Sequence, residues 1–245
     1  MNKPIIFIGD IHGNFNFLIK EINSKQITDC VLIQVGDFGI GFSDKETDVK
    51  ILLTLNEFLK SGNNIMYVIR GNHDNPKFFD GTYQYSNLIL LSDYTFLNIE
   101  GKNILFVGGA VSIDRSPRKR DMLMQSNNSI IKESYWYDET FVLNEEKIKN
   151  LIDINIVVTH TAPIYCAPLV ANGFGYLVED YARRDSNLLE DLKFEREQIT
   201  KMFDILNIRN EITHHFYGHF HRRTTTKNNQ TIHRLLDVNE FYELQ

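Results

Sequence analysis

Five apolar runs in this chain break off at the same kind of residue, and that recurrence restricts the fold more than any other feature. Ile5-Ile6-Phe7-Ile8 runs into Gly9-Asp10, and Val31-Leu32-Ile33-Gln34-Val35 into Gly36-Asp37. Ile65 to Ile69 runs through Arg70-Gly71 into Asn72-His73-Asp74, Ile154 to Thr159 into His160, and Phe216-Tyr217 into Gly218-His219. Short runs of this composition read as buried strands. Polar side chains at their ends are costly if buried unless they bind something. In α/β proteins the crevice beyond the carboxyl ends of strands is where chemistry sits. Taken alone, Gly71-Asn72-His73-Asp74 would also suit an ordinary Asx turn; five such ends argue otherwise.

Between the first three runs lie two helical periodicities. Phe15, Leu18, Ile19 and Ile22 form one, with Asn14 or Asn16 as N-cap. Val49, Leu52, Leu53, Leu55, Phe58 and Leu59 form the other, opened by a capping-box pattern at Ser43-Asp44-Lys45-Glu46 and stopped at Gly62. The first 74 residues thus read strand-helix-strand-helix-strand, the α/β pattern of a parallel sheet with helical crossovers. Further strands are expected at Leu88 to Leu91, Thr95 to Ile99 and Ile104 to Val107. A short helix is expected from Asn144 to Ile152, a long one from Leu188 to Leu206, and a hairpin around Asn228-Asn229. Stretches 113–139 and 161–185 read as irregular and long enough to be functional loops. Nothing resembling a linker interrupts the chain, so one domain over residues 1–245 is expected.

A net charge of −6 gives no whole-surface attraction for nucleic acid or anionic membrane. The two cysteines, Cys30 and Cys166, offer no disulfide framework. Met1-Asn2-Lys3-Pro4 leads directly into the first strand with no apolar signal region, and no run approaches a membrane span. The expectation is a soluble cytoplasmic protein.

The strand ends collect Asp10 and His12, Asp37, Asn72 and His73, His160, and His219 with His221. In an extended strand, residues two apart point to one side, so each D-x-H or H-x-H pair would present both side chains together. Carboxylate, amide oxygen and neutral imidazole suit a divalent cation, Mn²⁺ first, with Fe, Zn or Ni as alternatives. Seven ligands plus His73 exceed what one ion needs; they suit two ions about 3.5–4 Å apart. A lone histidine is usually structural, and His214, His215 and His233, outside these motifs, are read that way. Five of the eight histidines fall within them.

Gly9-Asp10-Ile11-His12-Gly13, Gly36-Asp37, Gly71-Asn72-His73-Asp74, Val158-Thr159-His160 and Gly218-His219-Phe220-His221 resemble, in order, the motifs of the calcineurin-like metallophosphoesterases. The resemblance implies a four-layer α/β/β/α sandwich, two mixed β-sheets flanked by helices, with a dinuclear metal site at the strand ends. One ion would be held by Asp10, His12, Asp37 and His221. The other would be held by Asp37, Asn72, His160 and His219, with Asp37 shared. A water bridging the ions would be the nucleophile, His73 the general acid, and Asp74 its orienting partner. Asp37-Phe38-Gly39 lacks the companions of a kinase motif, and Gly36, Gly39 and Gly41 lack dinucleotide-fingerprint spacing.

The protein-phosphatase branch of that family continues its second motif as GDxxDRG and its third as GNHE. Here Ile40-Gly41 stands where Asp-Arg would be, and the third motif ends in Asp74. A serine/threonine protein phosphatase is therefore the alternative. The favoured expectation is a phosphodiesterase or phosphatase acting on a small or nucleotide-like phosphoester. A nuclease on long nucleic acid is disfavoured by the acidic balance. The stretch Gly108 to Arg118 with Tyr135-Trp136-Tyr137 resembles small bacterial and phage members of the family. Arg115 and Arg118 would fork onto phosphate and Trp136 would wall the pocket; equally, they would form a solvated basic loop beside a core aromatic cluster.

Overall fold

Each apolar run becomes a strand because its alternate side chains have two different faces to fill. The computed structural model describes residues 2–125, 133–169 and 176–244. In β1 (Ile5–Ile8) all four side chains are buried. Ile6 and Ile8 pack with Leu18 and Ile22 of α1 (Phe15–Ser24) and with Leu52, Leu55 and Leu59 of α2 (Lys45–Ser61). Ile5 and Phe7 point the other way, toward Ile104, Phe106, Ile156, Val158 and Phe216 of a second sheet. A strand buried on both faces reads as a continuous apolar run rather than an alternating one.

The first sheet runs β11-β1-β2-β3-β4, with β2 (Val31–Gln34), β3 (Ile65–Val68), β4 (Leu88–Leu90) and β11 (Phe241–Glu243). Its β1 to β4 are parallel and β11 is antiparallel. The second runs β5-β6-β7-β8-β10-β9, with β5 (Thr95–Ile99), β6 (Lys102–Val107), β7 (Ile156–Thr159), β8 (His214–Tyr217), β9 (Thr224–Asn228) and β10 (Thr231–Leu235). Its outer face, at Leu105, Val107 and Val157, is covered by Ile148 of α4 (Glu145–Ile148) and by Ile199, Met202, Phe203 and Leu206 of α6 (Leu188–Asn207). Two mixed sheets flanked by helices make four layers, as expected.

Three local expectations change. The cap of α2 is Asp44 rather than Ser43, its carboxylate accepting from the Thr47 amide at 2.9 Å. The stretch expected to be irregular contains α3 (Arg115–Gln125), and the second one contains α5 (Tyr176–Ala182). Pro117 in the first turn of α3 costs nothing there, because that amide has no intrahelical partner anyway. The strand β11, which closes the edge beside β1, carries too short a pattern to read. Among the described residues no helix is long and apolar enough to cross a membrane.

Phe7 is fully buried and stacks on Phe216 across the two sheets, ring centres 3.6 Å apart. Replacing it by alanine opens a cavity where neither sheet can collapse. Phe7→Ala should lower unfolding stability in urea by about 3–5 kcal/mol; a loss below 1 kcal/mol would show that the sheets do not depend on this contact.

Candidate metal centre

Asp37 lies where the ends of the two sheets meet, 1% exposed. Beyond β2 the chain turns through Gly36 and enters the left-handed region at Asp37, φ 53°. The turn after β3 is pressed against it, since a Cβ on Gly71 would overlap Asp37 Oδ1. The His73 amide donates to that oxygen at 2.7 Å. Asp37 Oδ1 is 3.1 Å from His160 Nε2, and Oδ2 is 3.8 Å from His12 Nδ1 on the other side.

Two groups of ligand atoms therefore share one carboxylate. Those of Asp10, His12, Asp37 and His221 all lie within 4.8 Å of one another, and so do those of Asp37, His160 and His219. Asn72 joins the second group, its Oδ1 3.1 Å from His160 Nε2. The structure thus brings the seven side chains named from the sequence into two adjoining groups. His12 and His221 bring their Nε2 atoms to 2.9 Å, with Asp10 Oδ2 at 3.3 Å from His221 Nε2. Imidazole nitrogens crowded against carboxylates in this way fit a divalent cation. His160 Nδ1 meets the Val35 carbonyl at 2.9 Å, which fixes the ring and leaves Nε2 to face Asp37.

Strand alternation is not what aims these side chains. His12, Asp37, His219 and His221 have φ of 49°, 53°, 69° and 46°. They are presented by left-handed turns, each costing on the order of 1 kcal/mol for a residue with a Cβ. The turns are held by bonds between them: the amides of Ile11 and His12 donate to the Asp37 carbonyl at 2.9 and 2.8 Å. The His219 amide donates to the Asp10 carboxylate at 3.0 Å. A Cβ on Gly218 would strike that same carboxylate.

The charges follow from burial and pairing. Burial alone would raise the Asp37 carboxyl, but His160, His73 and His12 hold it well below the usual range. Burial likewise opposes charge on His160, yet Asp37 raises it to about 9. Asp37 and His160 thus favour each other's charged forms, and a cation held there would compete with a proton for His160 Nε2. Burial lowers His73, with Asp37 opposing.

Asp74 does not orient His73. Its carboxylate accepts from the amides of Gly71 at 2.7 Å, Gly39 at 2.7 Å, Phe38 at 3.1 Å and Ile40 at 3.2 Å. It ties the Asp37 loop to the Asn72 turn, a structural duty that fully occupies it. His73 is positioned instead by rings, 6.1 Å from Phe42 in a near-parallel stack and 5.3 Å edge-on from His12.

The three expected substrate contacts separate. Arg115 is paired with Asp185 at 2.5 Å and with Asp191 at 2.6 Å, so it locks α3 to the start of α6 and is turned away from the centre. Arg118 donates to Ser112 Oγ at 2.5 Å and to the Asn72 carbonyl at 3.3 Å. Ser112 Oγ accepts in turn from Asn72 Nδ2 at 2.9 Å, which sets the amide so that Oδ1 faces His160. Arg118 acts behind Asn72 rather than on a ligand, and Ser112, unmarked by any motif, is the intermediary. Trp136, 5% exposed, packs edge-on to Phe42 at 5.0 Å and so backs the wall beside His73. A cavity of about 260 Å³ opens over Asp37, Asn72, His73 and His221, rimmed by Ile113, Leu177 and Tyr181.

The calcineurin-like phosphoesterases match residues 3–223 of this chain. A dimetal phosphatase from Danio rerio is similar in structure at a TM-score of 0.53, with 12% identity over 96% of this chain and 87% of that one. A Staphylococcus aureus chain described as a 5'-nucleotidase gives 0.50, with 14% identity over 98% of this chain but only 49% of its own length. No curated protein matches the sequence.

Behind Arg118 lies Glu139, fully buried, its Oε2 3.5 Å from Arg118 Nη1. Burial raises its carboxyl to about 7, the Arg118 charge opposing, against about 4.3 when unfolded. The fold therefore favours the protonated form. That stabilisation is complete below the unfolded value and is lost as pH rises through about 7. Glu139→Gln removes the loss, so the variant should gain on the wild type by roughly 2–3 kcal/mol between about pH 4.5 and 8. Urea melts at the two pH values measure it; a wild type–variant difference that does not change with pH would contradict a buried, raised carboxyl.

Proposed function

Since the chain belongs to the calcineurin-like phosphoesterases and is thereby a metal-dependent hydrolase of phosphoric esters, we propose that it cleaves a small or nucleotide-like phosphodiester at a dinuclear centre. The supporting observation is the pair of donor groups that share Asp37. Asp10, His12, Asp37 and His221 would hold one ion, and Asp37, Asn72, His160 and His219 the other. When bound, the ions supply an activated water and positive charge against the phosphoryl oxygens; Mn²⁺ is the metal this oxygen- and nitrogen-rich set suits first.

The chain's own residues do the rest. His73, partly exposed on the cleft and next in sequence to Asn72, carries the proton that the leaving alkoxide needs. Its stack on Phe42 and the Trp136 wall behind hold the imidazole over the centre. Ile113, Leu177 and Tyr181 give the leaving group an apolar rim.

Charge favours a diester. Among the described residues lining the cleft there is no lysine or arginine, and Asp114 on its rim is paired with Arg118 at 3.6 Å. A protein phosphatase gains no support: Ile40, where that branch has Asp, is fully buried in the first core, and Gly41 is packed against Asn75.

With Mn²⁺ added, kcat/KM for a bis(aryl) phosphate should exceed that for the matching aryl monophosphate, and chelator should abolish both; preference for the monoester would overturn the diester reading. His73→Ala should keep its metal and slow diester turnover by ~10²–10⁴-fold. Unchanged turnover would remove His73 from the chemistry.

A further inference from the structure

A second group of ligand-type side chains lies on the helix-facing side of the second sheet, away from the strand-end centre. His215 on β8 and His233 on β10 are register partners across the parallel pair. Their Nδ1 atoms face each other at 2.9 Å. Cys166, fully buried, completes the group, with its Sγ and one nitrogen of each imidazole all within 4.8 Å of one another.

Where the protons sit decides what such a group can do. The Thr159 hydroxyl donates its single hydrogen to the Thr161 carbonyl. Toward His215 Nε2, 2.7 Å away, it can then act only as an acceptor, so Nε2 carries the ring proton. A neutral His215 consequently turns a bare Nδ1 toward His233. Proteins fix the tautomer of a metal-ligating histidine in this way, by engaging the nitrogen that does not bind. Burial keeps both rings neutral, His215 held well below its ordinary value and His233 at about 4.

The loop that carries Cys166 is also held in place. Arg196, itself buried on α6, donates to the carbonyls of Ala162, Pro163, Cys166 and Pro168. Its positive charge opposes the burial that otherwise raises the thiol to about 12. Beside the cluster a cavity of about 290 Å³, lined by Tyr165, Thr231 and His233, gives a route from the surface and room for a water.

We propose that Cys166 Sγ, His215 Nδ1 and His233 Nδ1 bind a zinc ion, distinct from the strand-end centre, that pins the loop following His160 onto the second sheet. One sulfur and two imidazole nitrogens form a softer set than the strand-end donors and suit zinc over manganese or magnesium. A water from the cavity fills the fourth tetrahedral position. On binding, the thiol loses its proton to solvent while both imidazoles, already neutral, lose none, so one proton leaves per ion. The competing arrangement has no metal: His233 Nδ1 donates a hydrogen to His215 Nδ1, and Cys166 is a buried apolar thiol.

Cobalt(II) separates the two, because only a thiolate ligand gives a near-ultraviolet sulfur-to-cobalt charge-transfer band and the strand-end centre contains no sulfur. Titrating the purified full chain with Co²⁺, under a reductant that does not bind metals, should produce that band. It should persist in Cys30→Ala, vanish in Cys166→Ala, and need at least about tenfold more Co²⁺ in His233→Gln. Should Cys166→Ala fail to fold, persistence in Cys30→Ala assigns the band to Cys166, since the chain has no third cysteine. Cobalt binding with no such band, or a band lost in Cys30→Ala, would overturn the proposal.

Discussion

A carboxylate removed from water must have its charge offset nearby, or the fold cannot carry it. Asp37 is that carboxylate here, and most of the site's geometry follows from serving it. With one oxygen toward His160 and the other toward His12, it couples the loop after β1 of the first sheet to the residue that follows β7 of the second. The left-handed turns at His12, Asp37, His219 and His221 are the backbone cost of bringing ligands to it from four chain segments. Asp74 offsets part of that cost by satisfying four amides of the two loops at once. The two sheets, stacked through Phe7 and Phe216, hold those segments at a fixed spacing.

Behind the ligands lies a layer that sets their orientation. The Val35 carbonyl fixes His160, Ser112 fixes the Asn72 amide, and Arg118 fixes Ser112. Glu139 stands behind Arg118, neutral or charged according to pH. Such outer partners tune ligand geometry without touching what is bound. Their reach explains why α3, a helix with three arginines and a lysine, is not a solvated arm: Arg115 and Arg118 are both spent on internal partners.

Much of this was legible in the sequence because strand and ligand signals coincide. A strand buried on two faces leaves an uninterrupted apolar run, and the metal-type side chains that follow stand out against it, as at Ile8-Gly9-Asp10 or Thr159-His160. What the pattern could not give was the backbone conformation beyond the strands. Glycine spacing hints at turns, but the left-handed state of His12 or His221 depends on bonds from distant loops. Asp74 looks like a partner for its neighbour His73 until the amides of Gly39 and Ile40 are seen to reach it. Ser112 carries no signal at all, since a serine between two valine-like positions is ordinary. His215 and His233 lie outside the motifs, so the sequence alone marks them as structural. Only their register across β8 and β10, with Cys166 arriving from a loop, brings them together.

The dependence of both ion positions on one shared residue is most directly tested by counting metal. In a Cys166→Ala background, so that only the strand-end centre contributes, tightly bound ions would be measured in Asp37→Ala and His12→Ala proteins after dialysis. A shared Asp37 predicts that Asp37→Ala loses both ions while His12→Ala keeps one. Two ions retained by Asp37→Ala would contradict the shared centre and the mechanism built on it.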